Sequence, residues 1–98
     1  MIRGVVLFPG AGSSASHASL VAIDRALQPL RVERVDFPYR LTGRRAPDRA
    51  PVLVHAVREA VDRACEQWSC TPSEIVIGGR SMGGRMCSMA VAGFDGND

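Results

Sequence analysis

Residues 74–92 read EIVIGGRSMGGRMCSMAVA, and no other stretch restricts the fold as tightly. Ile75-Val76-Ile77 is a short β-branched run that fits a buried strand, and Gly83 to Ala92 fits a short helix. Between them lie a few residues rich in glycine, so the chain must pass from strand to helix through a very tight turn with Ser81 at its tip. Gly79-Arg80-Ser81-Met82-Gly83 has the pattern G-x-S-x-G in the setting a nucleophile elbow requires. Side chains at Gly79 and Gly83 would collide with each other and with neighbouring strands. Such a turn lifts the Ser81 hydroxyl above the carboxyl edge of a sheet. It also sets the Met82 N–H at a helix start, where it can donate to a developing oxyanion.

A second glycine-rich turn lies near the N-terminus, in LFPGAGSSA. Val5 to Phe8 reads as a strand buried on both faces, and a helix follows over Ser16 to Leu27, with Leu20, Ile23 and Leu27 on one face and Ser16 or Ser19 as its cap. Gly10, Gly12 and Ala15 match G-x-G-x-x-A, and Asp36 falls about where a ribose-binding acid would lie, so a Rossmann-type dinucleotide-binding module is the alternative reading. Either motif alone arises easily by chance, and topology separates them. If the first strand is central, with the second and third on either side, the loop after Phe8 and the turn after Gly79 face each other across one crevice. A nucleophile elbow needs such a neighbour for its second oxyanion donor. One arrangement then accounts for both glycine loops, whereas a dinucleotide accounts only for the first.

The rest of the chain fits this order. Leu30 to Phe37 alternates apolar and charged residues, as in a strand nearer a sheet edge, and 39–50 reads as a polar, arginine-rich loop. Pro51 to Trp68 is the clearest helix, with Leu53, Val57, Ala60, Val61, Ala64 and Trp68 as its apolar stripe. Arg58–Asp62 and Glu59–Arg63 have the spacing of ion pairs on its wet face. Cys70 to Ser73 make a turn, and Glu74 to Gly78 a buried strand. Strand–helix alternation of this kind means α/β with a three-stranded parallel sheet and flanking helices, a three-layer αβα arrangement that is incomplete.

With 98 residues there is room for one small domain, and a hydrophobic content of 46% is enough for a core. The net charge is +2, with acids and bases interspersed, which argues against a nucleic-acid surface. No window resembles a membrane span or signal peptide. Cys65, Cys70 and Cys87 show no C-x-x-C spacing, which suggests neither a zinc site nor a disulfide framework and fits a reducing cytoplasm. Cys65 and Cys87 read as small core residues.

FPGAGSSASH followed by IVIGGRSMGGRM, with VDFPYR and GRRAPDR between them, resembles the first half of an α/β-hydrolase. The likeness is nearest to small bacterial hydrolases related to the dienelactone-hydrolase branch. It covers essentially the whole chain, while the chain covers about half of the family's domain, from the family's third strand to the helix after the elbow. The resemblance implies Ser81 as nucleophile, with the backbone N–H groups of Met82 and of Ala11 or Gly12 as the oxyanion hole. Pro9 stands where many lipases and esterases carry a histidine, which leaves the choice between Ala11 and Gly12 open. The family's triad acid and histidine come later: Asp95 and Asp98 are too early for the acid, and no histidine follows Ser81. The expectation is therefore the N-terminal portion of a single-domain serine hydrolase for a small acyl substrate, with no cofactor or metal, and inactive by itself. A further possibility is a fragment that acts only by joining a complementary half through the open edge of its third strand.

Other residues have plainer readings. His17, near the first loop, is a helix-start histidine or a substitute base, and His55 lies on the polar side of the long helix. Arg40, Arg44, Arg45 and Arg49 form a solvated loop or meet an anionic substrate. Asp36 reads as a turn residue at a strand end.

Overall fold

A computed structural model describes residues 1–93. Its sheet has three parallel strands, β1 (Gly4–Phe8), β2 (Arg31–Arg34) and β3 (Ile75–Gly79), in the order β2-β1-β3. Val5 pairs with Val32 on one side and Val76 on the other, and the β3 pairing runs from Gly4–Ile75 to Phe8–Gly79. The strand order reverses at β1, so the loops leaving β1 and β3 emerge side by side at the carboxyl edge. This is the α/β arrangement expected, with helices on both faces.

All five residues of β1 are buried, as a central strand covered on both faces requires. Its side chains divide by the two-residue period. Val5 and Leu7 meet Leu20 of α1 (Ala18–Leu27), with Leu27, Leu30 and Val32 packed around them. Val6 and Phe8 point the other way into the larger core under α3 (Ala50–Trp68) and α4 (Met82–Ala92). That core includes Leu53, Val54, Val57, Ala60, Met86 and Cys87. The C-terminal turn of α3 lays Trp68 directly against Gly4 of β1, where a Cβ would overlap the indole ring.

Several expectations needed correction. The second strand ends at Arg34 instead of Phe37, although the Val35 N–H still reaches the Leu7 carbonyl at 2.9 Å. Beyond it the chain turns inward, and Phe37 stacks on Phe8 with ring centroids 5.3 Å apart. The supposed loop from residue 39 opens with one helical turn, α2 (Pro38–Leu41), because Pro38 fits the first helical position. Tyr39 within it is fully buried.

Helix α1 starts at Ala18, capped by His17, whose Nδ1 accepts the Ser19 N–H at 3.1 Å. Ile23 remains 40% exposed because the face turned to the sheet runs through Leu20, Asp24 and Leu27. Asp24 pairs there with Arg34 at 3.0 Å. Helix α3 buries Val54 and Ala56 besides its expected stripe, while Val61 is only half-buried. Glu59 leans toward His55 at 3.6 Å instead of pairing with Arg63.

Strand β3 is shifted one residue, behind a 3₁₀ turn at Pro72–Glu74 closed by a capping box between Thr71 and Glu74. It is not fully buried: Val76 faces the α1 side with its partner Val5, but α1 covers β1 and β2, leaving Val76 45% exposed. Cys87 is buried as expected, whereas Cys65 is only half-buried. The tail from residue 94, including Asp95 and Asp98, lies outside the described residues. Among the described residues no helix is long and apolar enough to cross a membrane.

Neighbours on α3 give a direct check of this packing. Leu53 is 2% exposed and Val52 is 45% exposed. Leu53→Ala should cost about 2–5 kcal/mol in a denaturant titration. Val52→Ala should stay within about 0.5 kcal/mol of wild type.

Candidate active site

The turn between β3 and α4 is built against the end of β1. The Arg80 N–H donates to the Phe8 carbonyl at 3.2 Å, and the Gly83 N–H donates to the Arg80 carbonyl at 2.8 Å. A Cβ on Gly79 would overlap the Phe8 carbonyl oxygen and lie 2.9 Å from the backbone carbon of Gly83. One on Gly83 would lie 2.5 Å from the Phe8 oxygen and 2.6 Å from the Pro9 oxygen. Both positions therefore exclude a side chain, one against the other and each against β1. Gly78, in the same strand, has open space around it and no such restriction.

Ser81 occupies the tip with φ 48° and ψ −113°, a backbone conformation that costs a non-glycine residue about 1–3 kcal/mol. The side chain is exposed, and its hydroxyl makes no hydrogen bond to another described residue. Met82, next in the chain, opens α4 with its side chain buried. Its N–H, in the first turn, has no carbonyl partner among the described residues.

The first glycine loop faces this turn. A Cβ at Gly10 would lie 3.7 Å from the Ser81 Cβ and 3.6 Å from the Arg80 oxygen. Pro9, Gly10, Ala11, Ser13, His17, Leu20, Arg80 and Ser81 together line a cavity of about 290 Å³. Its ionisable side chains, His17 and Arg80, are both basic. A roomier hollow of about 380 Å³ lies between α3, β3 and α4, but no hydroxyl, thiol or imidazole group lines it.

Side chains from the β2 side hold the loop in place. The Tyr39 hydroxyl accepts the Gly12 N–H at 2.9 Å. Asp36 Oδ1 accepts the Ala15 N–H at 2.7 Å, and Arg34 donates to the Ala15 carbonyl at 2.8 Å. The Ser13 N–H is taken by the Gly10 carbonyl at 3.1 Å. Ala11 is left with an N–H that bonds to no described residue. Of the two N–H groups the sequence left open, Gly12's is occupied and Ala11's is available.

This restraint was the part sequence reasoning missed. Tyr39 is the chain's one tyrosine. Its place just after Pro38 was the available signal. Asp36, read from the sequence as a turn residue at a strand end, anchors the first loop through the Ala15 N–H. His17 lines the same cavity as Ser81, but its Nδ1 is engaged by Ser19 and no hydrogen bond joins it to Ser81. Of the arginines, Arg44 is tied to Asp48 at 3.0 Å, and the Arg45 backbone lies against Gly12. Among the described residues no group of three or more His, Cys, Asp or Glu side chains is arranged to hold a metal.

Adjacent glycines should respond very differently to the same substitution. Gly79→Ala should destabilise the fold by about 1–3 kcal/mol or more through backbone overlap. Gly78→Ala should be neutral or slightly stabilising, because its Cβ enters open space and the unfolded chain loses freedom. Thermal unfolding of both variants checks the difference.

Comparison with known proteins agrees with this arrangement. No curated protein and no solved structure matches the chain. A family model described as an alpha/beta hydrolase domain matches residues 2–96, from before β1 through the Ser81 turn and the whole of α4. The chain belongs to the alpha/beta hydrolase domain family.

Proposed function

We propose that this chain carries the nucleophile and the oxyanion-binding half of a serine hydrolase acting on ester, thioester or amide carbonyls. The observation that carries the reading is Ser81, held at positive φ with a hydroxyl that bonds to no other described residue, opposite a loop whose Ala11 N–H likewise bonds to no described residue. In this reading Ser81 Oγ attacks the carbonyl carbon, and the C=O electron pair moves onto oxygen. The Ala11 and Met82 N–H groups stabilise the resulting oxyanion. Removing one such donor costs about 10²–10³ in rate. Collapse of the intermediate expels the alcohol, thiol or amine and leaves an acyl-serine.

A general base must take the Ser81 proton. His17 is turned to capping α1 through Nδ1, and His55 lies exposed on α3 beside Glu59. The proposal therefore assigns the triad histidine and acid to residues outside these 98. It also places the protein near the small bacterial, dienelactone-hydrolase-like branch and in the cytoplasm.

No observation favours the dinucleotide alternative. It needs Asp36 free for a ribose hydroxyl, but Asp36 holds the Ala15 N–H. It also needs a helix opening within the glycine loop, and α1 begins only at Ala18.

Fluorophosphonate labelling, mapped by peptide mass spectrometry, tests the proposal. Loss of a triad histidine costs on the order of 10⁶ in rate, so labelling of these residues alone should be slow and should accelerate when imidazole is supplied. Modification at Ser81 that is lost in Ser81→Ala is the expected result. Labelling that persists in Ser81→Ala, or saturable NAD binding with Ser81 unlabelled, overturns the reading.

A further inference from the structure

The far end of the sheet carries a pair of thiols that the proposed reaction does not use. Helix α3 ends at Trp68, and Ser69 takes a left-handed conformation, φ 51° and ψ 53°. This folds the chain back so that the Cys70 N–H donates to the Cys65 carbonyl at 3.0 Å. The bond has the six-to-one span of a Schellman turn, although the Ser69 N–H also turns to the Cys65 carbonyl, and the residues at the two ends of such a turn are frequently in side-chain contact. Here both are cysteines, and both are half-exposed. A disulfide needs Cα atoms about 4.4–6.8 Å apart, and a direct backbone hydrogen bond between two residues brings them into that range.

We propose that Cys65 and Cys70 form a dithiol site that closes to an intrachain disulfide on reaction with small-molecule disulfides of the glutathione class. Burial raises the Cys65 pKa most, and the neighbouring Cys70 thiol raises it further. Burial disfavours the Cys65 thiolate, so the first attack is assigned to Cys70. The Cys70 thiolate attacks one sulfur of RS–SR, the S–S bond breaks, and RS⁻ leaves and takes up a proton. Cys65 then loses its proton to solvent and attacks the Cys70 sulfur of the mixed disulfide, expelling the second RS⁻. Two protein thiols are oxidised by two electrons, and one small disulfide is reduced to two thiols. Cys87 serves as an internal control, since it is buried and its pKa is pushed up to about 12 by that burial.

Closure would pin the last turn of α3. That turn seats Trp68 on Gly4 of β1, and the chain leaving it enters the Thr71–Glu74 capping box. The site is thus a redox-sensitive fastening for the amino edge of the sheet, away from Ser81.

The test is incubation of the folded chain with oxidised glutathione, followed by alkylation of free thiols and cleavage after Arg63, Glu66 and Arg80, which separates the three cysteines. The expected result is loss of two hydrogens, a peptide pair joined through Cys65 and Cys70, and Cys87 recovered alkylated. The unfolding midpoint should rise by roughly 5–15 °C over the reduced protein. Cys65→Ser should instead accumulate glutathione on Cys70, and Cys87→Ser should form the same Cys65–Cys70 linkage as wild type. The proposal is overturned if glutathione persists on wild-type Cys70 as it does in Cys65→Ser, if Cys87 enters the linkage, or if the folded wild type does not react. The wild-type peptide map decides the matter even where a variant fails to fold.

Discussion

One backbone carbonyl, that of Phe8 at the end of the central strand, organises the carboxyl edge of this protein. It accepts the Arg80 N–H, and it sits so close to Gly79 and Gly83 that neither can carry a side chain. This close approach lets a five-residue strand turn into a helix at once and leaves Ser81 strained at the tip. Because β1 also feeds the first glycine loop, the same strand end sets the distance between Gly10 and Ser81. The two loops are fixed by one element, and neither would be positioned correctly if the β1–β3 register slipped.

The second layer of control comes from the opposite side of β1. Phe37 packs on Phe8, and the chain around it delivers Arg34, Asp36 and Tyr39 to the first loop. Partly buried hydrogen bonds of this kind select a conformation as much as they stabilise one, because an unpaired group costs more the less water reaches it. The Tyr39 hydroxyl removes the Gly12 N–H from availability, while that of Ala11, a residue lining the cavity, bonds to no described residue. The proposed oxyanion donor is thus decided by a tyrosine that never reaches the reacting atoms.

What could be read from the sequence was local or periodic. The β1 run, the α3 stripe and the glycines around Ser81 each carry their constraint within a few residues, and a central first strand was the one supposition that let both glycine loops share a crevice. Ile23 and Val76 were misjudged because their exposure depends on which strand α1 covers, a tertiary fact that periodicity does not encode. Tyr39 was hidden within a segment of loop-like composition, and its partner Gly12 lies 27 residues away. Asp36 suited two readings because a carboxylate after a strand can hold a ribose or a backbone amide equally well. Only its bond to Ala15 distinguishes them.

Trp68, the chain's single tryptophan, is 7% exposed and rests on Gly4 at the amino end of β1. The indole is therefore a built-in optical gauge of one joint, where the long helix meets the central strand. Its emission will register whether that joint is assembled or wetted. A ligand arriving at Ser81, at the other end of the same strand, can leave it unchanged, so folding and occupancy are readable as separate signals in one small chain.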